Sequence, residues 1–191
     1  RENYYDSPFY NCPKLTSIVV PEGVTSIPAC AFYGMTSLKN IELPSTLTTI
    51  GNNAFYNCSG MASIVLPEGL TTIGGSAFVG CSGLTSIIIP QGITEVKRYT
   101  FSDCTGLRSI SLPEGLITLN QYAFSGCTAL ESIHLPDSIT TMYDWVFYGC
   151  SKLSSINYPL NWTMKVRENY YDSPFYNCPK LTSIVVPEGV T

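Results

Sequence analysis

All eight phenylalanines of this chain, Phe9, Phe32, Phe55, Phe78, Phe101, Phe124, Phe147 and Phe175, stand twelve residues before a proline, at Pro21, Pro44, Pro67, Pro90, Pro113, Pro136, Pro159 and Pro187. Those prolines step by 23 residues six times and once by 28. A globular domain spreads its largest apolar residue over unrelated contexts. Holding every copy in one register requires a stack of equivalent coils in which each Phe packs on the Phe of the next. The predicted fold is therefore a repeat solenoid, a single body over residues 1–191 of about eight coils, with one 28-residue coil near 159–187.

Within each coil the clearest segment is Leu-x-x-Ile-x-Leu-Pro, as in Leu84 to Pro90 and Leu107 to Pro113. Its last part alternates with a period of two and is rich in Ile and Val, so it reads as a short strand closed by proline, which has no N–H to donate. Eight such strands are expected in register as a parallel sheet. A turn follows, Glu-Gly at Glu22-Gly23, Glu68-Gly69 and Glu114-Gly115, and then an apolar pair such as Leu47/Ile50 or Ile93/Val96 marks a second short strand. The remaining arc, Ala54-Phe55-Tyr56-Asn57-Cys58 and its equivalents, has no period-two pattern and is too short for a stable α-helix. A single helical or 3₁₀ turn is expected there, in a fold that is mainly β.

The first 25 residues return unchanged as Arg167 to Thr191. Neighbouring coils share only their core columns, yet these two segments also agree at Arg1/Arg167, Tyr4/Tyr170 and Lys14/Lys180. A longer unit of 166 residues, six spacings of 23 and one of 28, is therefore expected to repeat in a longer natural array, a designed concatenation being the alternative.

These residues resemble the BspA-like leucine-rich repeat: Leu-x-x-Ile-x-Leu-Pro, then Gly-[Leu/Ile/Val]-Thr-x-Ile, then Ala-Phe-x-x-Cys, over nearly the whole chain. The resemblance implies parallel strands stacked with short second strands and single turns. It also implies a secreted or surface-attached bacterial protein, extracellular in location, with roles in adhesion to matrix proteins or to other bacteria. The coil after Pro159 departs from the pattern, with five extra residues and with Trp162 and Lys165 at usually apolar places.

Composition narrows the function classes. Hydrophobic residues at 45% against charged residues at 13% exclude disorder and supply a continuous core. A net charge of -4, spread without runs, gives no footprint for nucleic acid. No apolar run approaches the ~20 residues a membrane helix needs, so no direct membrane insertion is expected in this segment.

Cys12, Cys58, Cys81, Cys104, Cys127, Cys150 and Cys178 share one column, in which Met35 also stands. The spacing is not that of a zinc site, and His134 is the one histidine. A place that accepts Met wants an apolar filler, so Cys58, Cys81, Cys104, Cys127 and Cys150 read as buried thiols packed beside the ladder of Phe32, Phe55, Phe78, Phe101, Phe124 and Phe147. Pairing between adjacent coils is the alternative. Cys30 reads as an off-column thiol near a coil edge. No triad, phosphate loop or calcium loop occurs, and neither a cofactor nor enzymatic activity is expected.

Recognition is expected on what faces outward. One strand position varies in character along the array, and from it Glu42, Ile88, His134 and Asn157 are candidate contacts. The serine column beside it (Ser63, Ser86, Ser109 and equivalents) reads as structural. Tyr99, Tyr122 and Trp145 stand two residues before the ladder Phe, while Tyr33, Tyr56, Tyr148 and Tyr176 follow it directly. Such rings suit protein or glycan contacts, or else they clothe the outside of the spine. Tyr170 and Tyr171 lie on the insertion, where a break in a strict repeat invites a specific contact. The expected function is a non-catalytic extracellular scaffold in adhesion or a surface fibre, with protein or glycan ligands or further copies of the same unit as partners. A head-to-tail structural polymer and an intracellular interaction scaffold are the alternatives.

Overall fold

The computed structural model of the chain describes residues 7, 9, 12–162, 173–184, 186 and 188. In chain order its strands are β1 (Ser17–Val19), β2 (Ser26–Ile27), β3 (Asn40–Glu42), β4 (Thr49–Ile50), β5 (Thr72–Ile73) and β6 (Ser86–Ile88). They continue with β7 (Glu95–Val96), β8 (Ser109–Ser111), β9 (Thr118–Leu119), β10 (Ser132–Ile133), β11 (Thr141–Met142) and β12 (Ser155–Ile156). Each is two or three residues long and alternates outward and inward side chains, with Ile41, Ile87 and Ile133 turned into the core. Every pairing is parallel and offset by one repeat, as in Ser17↔Asn40, Ile87↔Ile110 and Ile50↔Ile73. The repeat read from the prolines is thus the strand register itself: a parallel-strand solenoid, mainly β.

The sheets are more broken than expected. On the proline-closed side the strands pair as β1 with β3, β6 with β8 and β10 with β12, and residues 63–65 form no strand. The second side carries β2-β4-β5 and β7-β9-β11, open between β5 and β7. That second opening coincides with a change of column, since Gly51 and Gly74 lie so close to the preceding coil that a Cβ would meet backbone, whereas the next coil has Lys97 there.

The arc holds the coils together where the sheets do not. No helix occurs among the described residues. The expected helical turn is realised as successive tight turns, with Ala31 N donating to Pro28 O, Tyr33 N to Cys30 O and Met35 N to Phe32 O. Alternate N–H groups point forward to the next coil: Cys30 to Asn52 O, Phe32 to Ala54 O and Gly34 to Tyr56 O, at 2.7 to 2.9 Å. The same triplet recurs from Asn53, Phe55 and Asn57, and from Ser76, Phe78 and Gly80. It runs on to Trp145, Phe147 and Gly149, which reach Ser173, Pro174 and Tyr176.

Two columns of positive φ turn these N–H groups. One is Gly34, Asn57, Gly80, Asp103, Gly126, Gly149 and Asn177, with φ between 56° and 73°. Gly, Asn and Asp are the residues that enter the left-handed region at least cost. The other is Cys30, Asn53, Ser76, Tyr99, Tyr122 and Trp145, with φ between 55° and 60°.

Inside, the phenylalanine rings stack from Phe9 to Phe175 at centroid distances of 5.2 to 5.6 Å. Phe55, Phe78, Phe101, Phe124 and Phe147 are wholly buried, with leucines and isoleucines of both strand columns around them. Threonine hydroxyls add bonds one repeat apart, from Thr48 to Thr25 O and from Thr71 to Thr48 O. Among the described residues no helix is long and apolar enough to cross a membrane.

Candidate functional site

The first candidate surface is the outward side of the proline-closed strands. Strand alternation turns Ile18, Ile41 and Ile87 inward and leaves the next residue in solvent. Val19, Val65 and Ile88 are 69%, 82% and 71% exposed in this register, with Glu42 between the first two and Ser111 and His134 beyond them, also exposed. The character therefore passes from apolar to polar along the array. Asn157 is placed differently from the other candidates. Its Oδ1 accepts the Leu135 N–H at 2.7 Å and its Nδ2 donates to Leu135 O at 2.8 Å, so its amide is engaged with the backbone of the preceding coil.

Where residues 63–65 leave the ladder, a cleft of about 560 Å³ opens between the Phe32 and Phe55 coils. Ile41, Leu43, Val65 and Pro67 form its apolar part, and Glu22, Glu42 and Glu68 contribute carboxylates. Glu22 is held in place, accepting the Ser45 N–H at 3.0 Å and the Ser45 hydroxyl at 3.1 Å.

The second candidate surface is the aromatic strip. Tyr99 and Tyr122 stack at 4.8 Å, and Tyr122 and Trp145 at 5.2 Å, all three half-buried. The Arg98 guanidinium lies 4.9 Å from the Tyr99 ring centre and 5.9 Å from that of Tyr122, a cation–π arrangement. Face-to-face stacking covers the inner ring faces, the surfaces on which a sugar would lie, and leaves edges and polar tips for contact. These bulky side chains also stand at positive φ, which sequence reading missed because nothing in an aromatic residue marks that conformation. The Gly/Asn/Asp column was the available signal. Tyr33 and Tyr56 form a second stack at 4.7 Å, and Tyr148 and Tyr176 another at 5.9 Å. In the coils between them that position is Val79, Ser102 and Ser125, all buried.

The cysteine column is internal and has a definite bonding role. Cys58, Cys81, Cys104, Cys127, Cys150 and Cys178 each donate the thiol hydrogen to the carbonyl of the ladder Phe one coil back, with S···O between 3.0 and 3.2 Å. Burial pushes the Cys58 and Cys104 thiols up to about 12 and Cys178 to about 11, and raises Cys81, Cys127 and Cys150 as well. All are free thiols. Cys30 is buried rather than at an edge, and it belongs to the column of Tyr99, Tyr122 and Trp145. Tyr170 and Tyr171 lie outside the described residues. Among the described residues no group of three or more His, Cys, Asp or Glu is placed to hold a metal ion.

Three solved structures share this architecture. A leucine-rich repeat protein from Eubacterium ventriosum is 28% identical over 77% of this chain and 40% of its own, with a TM-score of 0.71. One from T. pallidum is 27% identical over 89% of this chain and 70% of its own, with a TM-score of 0.56. One from Bacteroides ovatus is 28% identical over 92% of this chain and 56% of its own, with a TM-score of 0.52. The chain thus spans about half the length of the Eubacterium and Bacteroides proteins. No curated protein matches it. The BspA-type leucine-rich repeat region matches in six copies, over residues 2–104 and 71–191, and with the Phe ladder, the proline-closed strands and the cysteine column in its register this chain belongs to that family.

Proposed function

We propose that the chain is part of a non-catalytic scaffold displayed outside a bacterial cell, and that its strand face adheres to other proteins. Family membership supports the setting, since BspA-like repeats are carried mostly by secreted or surface-attached proteins. One observation carries the binding role: Val65 and Ile88 stand side by side in one register with most of their surface in water, rimmed by Glu42, Ser63 and Ser86, and Val19 lies beyond Glu42 in the same register. Apolar groups in a row with a polar rim are what a protein partner covers. The edge-on aromatic strip supports a protein rather than a glycan ligand. The cysteines support the non-catalytic reading, because burial disfavours the thiolate, the reactive form.

Retention of the chain on immobilised matrix proteins, and on whole bacteria, tests the reading. The double variant Val65→Asp/Ile88→Asp changes only exposed side chains and is expected to keep its circular dichroism while losing retention about tenfold or more. Retention unaltered in the folded variant, or absent in the parent chain on every surface, overturns it.

A further inference from the structure

The break in the proline-closed ladder at residues 63–65 lies in the interior of the stack and opens it on one side only. Val20 N donates forward to Glu42 O and Ile89 N to Ser111 O, both at 2.9 Å, a bond that Leu43, the equivalent residue, does not make to the following coil. The Phe32 and Phe55 coils stay joined everywhere else. β4 pairs with β5, Phe32 N donates to Ala54 O at 2.8 Å, and the two rings stack at 5.2 Å. Beyond the break the next coil is tied back on, with Thr85 N donating to Ala62 O at 3.1 Å. The cleft between β3 and residues 63–65 is therefore a wedge in the strand face, held open by a fixed spine.

The rim of this wedge has one sign of charge. No closing proline of the chain is followed by Lys or Arg, and five of the eight are followed by Glu or Asp. At the cleft two of these, Glu22 and Glu68, meet Glu42 of the outward strand column around the apolar Leu43, Val65 and Pro67. All three carboxylates are exposed, and among the described residues none is paired with a cation. Ser45 holds Glu22 through both of its oxygens, and each oxygen keeps a further acceptor site. The carboxylates are too spread to ligate a metal ion, since no such group is formed among the described residues. The matching cation is one with reach and an apolar stem.

We propose that this cleft seats an arginine from an extended segment of a protein partner, its stem on Leu43 and Val65 and its guanidinium among Glu22, Glu42 and Glu68. The inference deepens the adhesion reading and rests on it, naming the residue that the strand face takes. Long basic side chains cover apolar surface with their stems while the charged head stays at the wet rim. Arginine fits this rim better than lysine. Its planar guanidinium is weakly hydrated and carries five N–H donors, enough to serve two carboxylates at once, whereas an ammonium is a compact and strongly hydrated charge. Complementary charge of this kind sets which partner docks and in which register.

The test uses the full chain and a fluorescent peptide of alternating threonine and arginine, read by anisotropy at low salt. Two companions replace arginine by lysine or by citrulline, which keeps the shape of arginine without its charge. The parent chain is expected to bind the arginine peptide about tenfold or more tightly than the citrulline peptide, with lysine between them. Glu42→Gln/Glu68→Gln alters only exposed side chains and is expected to lose that tenfold. Glu114→Gln/Glu131→Gln removes the same net charge away from the cleft and is expected to lose less than about twofold. Equal losses in the two variants overturn the seat, as do a parent that treats arginine and citrulline alike, a lysine peptide that binds as tightly as the arginine one, or no binding of any peptide. Retention on matrix proteins separates this inference from the adhesion reading. If Val65→Asp/Ile88→Asp loses retention while Glu42→Gln/Glu68→Gln keeps it in full, the arginine seat is overturned and adhesion by the strand face stands. If the peptide results are as expected while the parent is retained on no surface, the seat stands and the adhesion reading is overturned.

Discussion

Cys12 and Cys178 occupy the same place in two identical 25-residue segments, and they differ in exposure and in bonding. Cys12 is exposed, whereas Cys178 is 8% exposed, bonded to the Phe147 carbonyl, and has its thiol pushed up by burial. The difference is not in the residues. It lies in what each one faces: Cys178 looks back toward the Phe147 coil, whose carbonyl accepts its thiol hydrogen. In a stack where coils touch only adjacent coils, a cysteine takes the bonding of its column only where the coil it faces is present.

The largest expected consequence is alkaline instability. The buried thiols have folded values above the unfolded one, so the stability they contribute is complete below about pH 9 and is lost as pH rises toward 12. Cys58 and Cys104 each remove about 1.4 kcal/mol per pH unit across that window. Urea midpoints measured from pH 8 to pH 11 should fall steeply, and Cys104→Ala should flatten the slope. An unaltered slope in Cys104→Ala would break the assignment of that thiol to a buried, neutral state.

Next in size is the ladder. Phe101, wholly buried between Phe78 and Phe124, should cost about 3 to 5 kcal/mol on truncation to Ala, since a cavity remains in a one-dimensional core. Phe9, half-buried and among the described residues stacked on Phe32 alone, should cost about half of that or less. Equal losses in urea denaturation would mean that the stack does not behave as a chain of neighbours.

Labelling sharpens the comparison directly. A neutral alkylating reagent should modify Cys12 in the native chain within the time that leaves Cys178 and the interior thiols intact, with mass spectrometry of cyanogen bromide fragments, which separate residues 1–35 from 165–191, as the readout. The smallest effect concerns the backbone. Gly149 has φ of 70° with open space where a Cβ would lie, so Gly149→Ala pays only the left-handed conformation, about 1 kcal/mol.

Much of this fold was legible because a solenoid writes one residue type into one column. Phe at a fixed distance from Pro gave the coil and its register, and Cys in line with Met35 pointed to an interior column. What a column bonds to was not legible: the acceptor for Cys104 is the Phe78 carbonyl, and a backbone carbonyl leaves no mark in sequence. The forward ladder of the arc was half-written, in Gly34, Asn57, Gly80 and Asp103, but the partner column hides under Tyr99, Tyr122 and Trp145. The loss of the strand over residues 63–65 has no counterpart in the letters Ser63-Ile64-Val65, which read as strand like their neighbours. Among the candidate contacts, Glu42, Ile88 and His134 are in solvent, while Asn157 turns its amide to the Leu135 backbone.

The forward-pointing N–H groups of the arc give the whole stack an electrical direction. In a parallel strand ladder successive peptide dipoles largely cancel, but here Cys30, Phe32, Gly34 and their equivalents all donate the same way, coil after coil. The aligned peptides add as they do in a helix, leaving partial positive charge on the arc side toward the C-terminal coils and partial negative charge toward the N-terminal ones. Two stacks meeting end to end are therefore attracted head to tail and opposed head to head. The rod is a vector before any side chain is considered.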